Sequence, residues 1–399
     1  MRGGELFVGG VPRTRRDLLR QIGGLALFSS GSFSHRSNSP AAGVLTSKLQ
    51  EFVRAHQIAG VVALVSRSGR VVYEEALGSQ DLENGKAMRT GTIFDIRSMT
   101  KAFTAVAVMC LVEEGKLRLE EPIASVLPEF ADLKVIEPTG SLRPPKRQVT
   151  VLDLLTHTAG ISENRPQQID NITRVLDRSL QEVVEIIAKQ PLRADPGAPW
   201  NYSSMGYAVL GRAVEVRSGK PYQDFVAERI LQPLDMRDSF YFPPRDKWPR
   251  ISAMYIIENG ALHRDSIDIY RHNAKYSAPE FGLFSTARDM DRFFQAMLNH
   301  GALGRRRVLT PHSVDVMLTP RVPTAMDGVA QGLAWFICTD PEKQSVLRIS
   351  KGSFGVAGAS GTFGWADPDQ NLARLFLIQR FSSPDTERNA FMGLAANVD

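Results

Sequence analysis

Ser98 and Lys101 stand three residues apart at the mouth of the apolar run Ala102 to Val112. On a helix, positions i and i+3 share a face, so the serine hydroxyl and the lysine amine meet one turn apart. A serine alone is a poor nucleophile, whereas a lysine kept neutral by burial and by a positive helix N-terminus can take its proton. The same N-terminus offers backbone N–H groups to an oxyanion. The plainer reading makes Ser98 a helix N-cap and Lys101 a solvated side chain. No other of the twelve lysines follows a serine at this spacing, and the apolar run behind it is long.

Two further segments carry groups of interest. In Trp200-Asn201-Tyr202-Ser203-Ser204-Met205-Gly206-Tyr207, a tyrosine on the turn before a helical run can relay a proton between nucleophile and leaving group. The alternative for Tyr202 is a packed aromatic. In Gly355-Val356-Ala357-Gly358-Ala359-Ser360-Gly361, small residues at a strand edge let a substrate backbone approach and leave an N–H free to point at it. A tight corner or bulge is the other reading of that segment.

These groups need a frame. Helical spacing at Val44, Leu45, Leu49, Phe52 and Val53 precedes two β-rich runs, Val61 to Ser66 and Val71 to Tyr73, joined at Ser68-Gly69 as a hairpin. The middle of the chain reads as helical, with polar, proline-rich loops at 138–147 and 241–249. Strand-like runs return at Leu333–Cys338, Val346–Ile349, Gly361–Ala366 and Leu372–Gln379, and a helical pattern from Asp385 to Ala396 closes the chain. Strands at both ends around a helical middle predict an α/β (α+β) protein. Its antiparallel sheet is flanked by helices and assembled from both chain ends, and a mostly helical subdomain is inserted between them. The sheet subdomain is expected from about 41–95 and 330–399, the helical one over about 96–329, and a cleft at their junction is the expected site.

The three segments, in order and spacing, resemble the active-site elements of the serine β-lactamase and penicillin-binding-protein-like family. They are most similar to the class C β-lactamases and their related esterases and D-aminopeptidases. Leu154-Leu155-Thr156-His157-Thr158-Ala159-Gly160, Pro233-Leu234-Asp235-Met236 and Phe284 to Met290 agree with the resemblance, which runs from about residue 44 to the end. It implies the β-lactamase/transpeptidase-like fold and acyl-enzyme chemistry, with Ser98 as nucleophile, Lys101 and Tyr202 as proton movers, and the N–H groups of Ser98 and Ala359 as the oxyanion hole. Ser204, Val356, Ala357 and Gly358 fall at substrate-binding positions. Two departures bear on substrate. Ser204 stands where the family's motif usually ends in Asn, offering one hydroxyl in place of an amide. Val356 and Ala357 replace the polar members of Lys-Thr-Gly, His-x-Gly or Trp-x-Gly, which removes the cation that would hold a β-lactam carboxylate. Lys351-Gly352-Ser353, five residues upstream, is a shifted alternative, but Gly358-Ala359-Ser360-Gly361 favours the valine register.

Composition narrows the classes. With 43% hydrophobic and 23% charged residues over 399 positions and no run of 18 apolar residues, the chain reads as globular, and no stable membrane span is expected. Seven histidines form no HExxH or other close ligand pair, and two cysteines make no disulfide scaffold, so neither a metal nor a cofactor is called for. The net charge of +5 sits mostly in residues 1–40, which carry six arginines against Glu5 and Asp17, leaving a body near neutral that has no field for nucleic acid. Thr14-Arg15-Arg16-Asp17-Leu18-Leu19-Arg20, then Ile22 to Phe28, resembles a bacterial twin-arginine export signal, so residues 1–40 are read as a leader for the export machinery and the mature protein as periplasmic or extracellular. A disordered basic tail on a cytoplasmic protein is the alternative.

The expected function is a metal-independent serine hydrolase forming an acyl-enzyme on Ser98 with a small-molecule ester or amide substrate, esterase-like, with transfer to another acceptor as a variant. A β-lactamase or D-amino-acid peptidase is the nearest alternative, and a non-catalytic binding protein with a retained pocket is the alternative of another class. No GxSxG marks an α/β-hydrolase.

Overall fold

The computed structural model of the chain describes residues 39–162, 176–381 and 385–399. The proposed leader, residues 1–40, lies outside them as far as residue 38, and its last two residues open the first helix. Helix α1 (Pro40–Arg54) starts on Ser39, whose hydroxyl accepts from the Ala42 N–H, with Pro40 at the first helical position. It leads into β1 (Gly60–Arg67), β2 (Arg70–Asp81) and β3 (Lys86–Ala87). The helical middle contains α2 (Thr100–Glu113), α3 (Val151–Leu155), α4 (Leu180–Ala188), α5 (Ser204–Ser218), α6 (Tyr222–Val226), α7 (Ala287–Leu298) and α8 (Pro311–Leu318). The chain then returns to the sheet through β4 (Val322–Pro323), β5 (Val329–Gln331), β6 (Phe336–Cys338), β7 (Phe354–Ala357), β8 (Phe363–Asp367) and β9 (Leu372–Leu377), and ends in α9 (Asp385–Ala395).

These nine strands form one antiparallel sheet in the order β4-β5-β6-β7-β8-β9-β1-β2-β3. The two ends of the chain meet where β1 pairs with β9, Leu64 opposite Leu375. Strand β1 is apolar from Val61 to Val65, where both of its faces are covered. Val62 and Leu64 point into the large core shared with the helical middle, while Val61, Ala63 and Val65 point into a second core with Leu45 and Leu49 of α1 and Phe391 and Met392 of α9. Helix α2 is buried from Thr100 to Leu111, which its run of Ala, Val, Phe, Met and Leu permits.

The structure corrects three expectations. Val346–Ile349 is not a strand. Residues Ser345–Leu347 form a 3-10 turn, Arg348 takes φ +48°, and the Leu347 and Arg348 carbonyls accept from the buried Arg374 guanidinium at 2.9 and 3.3 Å. A strand would have spent those carbonyls on a ladder. The run at Leu333 gives a strand only from Phe336, because Ala334 has φ +71° and Leu333 N–H bonds the Met317 carbonyl. The third concerns Ser98, which lies in a 3-10 turn (Arg97–Met99) rather than on the α-helix itself.

Candidate active site

Residues Phe94–Asp95 pair with Phe284–Ser285 and deliver the chain to the turn holding Ser98. Arg97, just before the serine, has φ +47°, a conformation costly for a residue with a Cβ. Its side chain pins it there. The guanidinium lies over Phe381 at 4.9 Å and Phe281 at 5.6 Å, and pairs with Asp95 at 3.2 Å. The same carboxylate accepts from the Arg97 backbone N–H at 3.2 Å and pairs with buried Arg271 at 3.2 Å. Ser98 is thereby half-exposed on a turn fixed from below, within reach of a substrate.

Lys101 is 3% exposed, and its amine points back at the serine. Nζ lies 3.1 Å from Ser98 Oγ, 3.3 Å from Ser204 Oγ and 2.9 Å from the Glu280 carbonyl. All three partners are uncharged oxygens. The amine also sits 4.9 Å from the Tyr202 ring centroid and 5.7 Å from that of Tyr207. The sequence places Ser98, Lys101, Tyr202 and Ser204 in two segments a hundred residues apart, and packing of α2 on α5 brings all four around one nitrogen.

The two tyrosines have different surroundings. Tyr207 is fully buried, donates to the Leu155 carbonyl at 2.8 Å, and is held by burial well above the ordinary phenol range. Tyr202 is half-exposed and stacks on the His157 ring at 4.5 Å. His157, on the loop after α3, accepts the Ser203 backbone N–H at Nδ1 (3.1 Å), and its own carbonyl accepts from Asn201 N–H at 2.9 Å. Burial first, and the Lys101 charge second, push this imidazole down to about 3. It is therefore neutral at ordinary pH and serves as a flat acceptor that fixes both residues flanking Tyr202. Sequence reading caught the segment around His157 without a role for it, and missed Glu280 altogether, because a backbone carbonyl acceptor leaves no trace in residue type.

The third segment reaches the same place. The end of β7 lies against the turn before Ser98, so closely that a Cβ on Gly358 would stand 2.3 Å from the Ile96 carbonyl oxygen. The Thr362 hydroxyl bonds that carbonyl at 3.1 Å, and Ser360 bonds the Asp95 carbonyl at 2.7 Å. Gly358 thus lets strand and turn touch. Ala357 and Gly358 are partly exposed, Ala359 is exposed with its N–H taking no acceptor among the described residues, and Val356 is buried in the core at 3% exposure. Lys351 is exposed on the turn at the other end of β7, separated from Gly358 by the four-residue strand, about 13 Å at about 3.3 Å per residue. The structure therefore gathers Ser98, Lys101, Tyr202, Ser204 and residues 357–359, and leaves Lys351 outside.

Comparison with known proteins gives matches over most of the chain. The Beta-lactamase family model matches residues 45–397. An uncharacterised protein of Mycobacterium tuberculosis is 30% identical over 384 residues, spanning 88% of this chain and 92% of the relative. A putative D-alanyl-D-alanine carboxypeptidase of Salmonella typhimurium is 26% identical, over 80% of this chain and 78% of its own. Among solved structures, EstCE1, a hydrolase with promiscuous acyltransferase activity, superposes with a TM-score of 0.79 at 20% identity, covering 89% of this chain and 98% of that one.

Proposed function

The chain belongs to the Beta-lactamase family, and from that premise we propose that it is a metal-independent serine hydrolase that forms an acyl-enzyme on Ser98, with an ester or amide as substrate and esters preferred. The observation that carries this is the 3.1 Å contact between Lys101 Nζ and Ser98 Oγ. When Lys101 acts as the base, the Glu280 carbonyl and the Ser204 hydroxyl accept two of its N–H groups, and the remaining position, aimed at Ser98, takes the serine proton. Oγ then attacks the substrate carbonyl. The oxyanion is met by the Ser98 and Ala359 N–H groups, and the proton passes by way of Tyr202 to the departing alcohol or amine as its bond to the acyl carbon breaks. Water, or another acceptor alcohol, attacks the acyl-enzyme with the same groups in reverse.

A neutral, buried Val356 in place of the family's cation supports uncharged esters over substrates that need a carboxylate held there. Likeness to a putative D-alanyl-D-alanine carboxypeptidase supports the amide branch as the second reading. Incubation with a fluorescent phosphonate, followed by mass spectrometry, tests the proposal directly. One adduct on Ser98, with turnover of p-nitrophenyl butyrate, is expected. An unlabelled Ser98 overturns the nucleophile and favours a binding protein, and faster release of D-alanine from a D-alanyl-D-alanine peptide than of nitrophenol moves the assignment to the amide branch. The leader, residues 1–40, is proposed to direct export, because the paired arginines and weakly apolar stretch stand apart in composition from the body.

A further inference from the structure

At the hairpin joining β1 and β2, a cleft of about 1110 Å³ opens between the turn at Gly69-Arg70, the loop at 235–238 and one face of α7. This is the far end of β1 from the site. The row Ala63, Phe376, Phe363, Ala357 crosses the sheet to the segment beside Ser98, whereas the cleft begins at Ser66 and beyond. Nothing in the acyl-transfer chemistry uses it.

Its walls carry guanidinium groups in excess of their partners. Arg288 is neutralised by both oxygens of Glu74, at 2.8 and 2.6 Å. Arg237 and Arg292, by contrast, share the single carboxylate of Asp235, at 2.6 and 3.5 Å. Arg70 is exposed on the hairpin and has no carboxylate partner among the described residues. Arg250 is likewise taken up by Asp238, at 2.8 and 2.7 Å, so in the walls Arg70, Arg237 and Arg292 are left with the one carboxylate of Asp235, above a floor that holds the buried acids Asp289 and Asp291. The floor is of another kind. Ser66 donates to Asp291, Gln295 Nε2 donates to Ser66 Oγ at 2.8 Å, and Gln295 Oε1, in a side chain only 3% exposed, accepts nothing. Burial raises both Asp289 and Asp291, which weakens the negative charge of the floor. Planar, multidentate donors in the walls suit a tetrahedral oxyanion, and a buried acceptor left open below suits a hydroxyl.

We propose that this cleft binds a phosphate ester of a polyol, with the phosphate on Arg70, Arg237 and Arg292 and a ligand hydroxyl donating to Gln295. Such an ester comes free in solution or as the headgroup of a lipid, and the test separates the two. Isothermal titration of the full chain with glycerol 3-phosphate is expected to give saturable binding, about tenfold tighter than inorganic phosphate because only the ester supplies the hydroxyl. Arg70→Glu and Arg292→Ala are each expected to weaken it by about ten- to a hundredfold, the worth of one charge-assisted contact. Gln295→Met is expected to erase the preference over inorganic phosphate. Unchanged turnover of p-nitrophenyl butyrate by Arg70→Glu shows that the variant is folded. Retention on phosphatidylglycerol vesicles, competed by glycerol 3-phosphate and absent from phosphatidylserine vesicles of equal charge, assigns the lipid source, and binding of the soluble ester without retention assigns the free one. Absence of saturable binding of both probes up to about 10 mM, an affinity untouched by both arginine variants, or no preference over inorganic phosphate overturns the proposal.

Discussion

The turn that carries Ser98 and the cleft at the β1–β2 hairpin handle positive charge in opposite ways. At the turn, one lysine is buried and bonded only to uncharged oxygens, so that no carboxylate is hydrogen-bonded to the nitrogen expected to gain and lose a proton. In the cleft, Arg70 and Arg237 are exposed and Arg292 half-exposed, with one wall carboxylate among the three, an arrangement fit to hold charge rather than to move a proton. The difference is one of task. A proton carrier has to be able to become neutral, and an anion holder does not.

The largest effect that separates the two regions is expected from Ser98→Ala, which should lower kcat/KM on p-nitrophenyl butyrate by at least about a thousandfold while leaving titration with glycerol 3-phosphate unchanged. Loss of both signals together would mean that the variant misfolds and that the regions are coupled. Lys101→Arg should come close to it, about a hundredfold or more, because arginine keeps its proton at any working pH. Normal kcat with only a raised KM would make Lys101 a binding residue and erase the contrast with the cleft. Gly358→Ala is a smaller perturbation of the same region. Its Cβ would meet the Ile96 carbonyl at 2.3 Å, so the turn has to move, and a misplacement near 1 Å costs up to about a hundredfold in turnover.

His157 sharpens the comparison through pH. Its imidazole is pushed to about 3 in the folded protein, below the ordinary value near 6.5, so the unfolded chain binds more protons in that interval. Stability from this group is fully present above pH 6.5 and is lost as pH falls from there toward 3, at up to about 1.4 kcal/mol per unit. His157→Asn keeps an acceptor for the Ser203 N–H and suits the φ of +60°, and its thermal midpoint should vary less with pH between 6.5 and 4 than that of the wild type. An identical pH dependence would show that the histidine is not the group titrating. The smallest effect belongs to Arg70→Glu, which should change ester turnover by less than about twofold, as expected for an exposed charge far from the reacting atoms.

What was legible in the sequence follows the same division. Ser98 and Lys101 could be paired from spacing alone because one helical turn fixes their relation, and β1 with β2 could be read as a hairpin because Ser68-Gly69 interrupts two β-branched runs. The contacts that finish the site are non-local. The Glu280 carbonyl reaches Lys101 across 179 positions, and His157 lies behind Tyr202 because of how two loops pack. The run Val346–Ile349 looked like a strand by residue type, yet buried Arg374 claims two of its carbonyls, and no local pattern announces that demand. The cleft escaped notice for a related reason. Its arginines come from β2, from the loop after Leu234 and from α7, and a charge count that assigns the body +1 cannot show that three of them converge.

The pairing of β1 with β9 also sets a clock. Leu64 waits for Leu375, and the strands on that side of the hairpin, β4 to β9, all follow residue 321. During synthesis, the edge of β1 that pairs with β9 has to remain open until more than three hundred further residues have been added. Pairings of such long range are slow to form and leave strand edges open meanwhile. A chain stopped short of residue 372 therefore carries Ser98, Lys101 and Tyr202 and still lacks the strand that joins the two halves of the sheet.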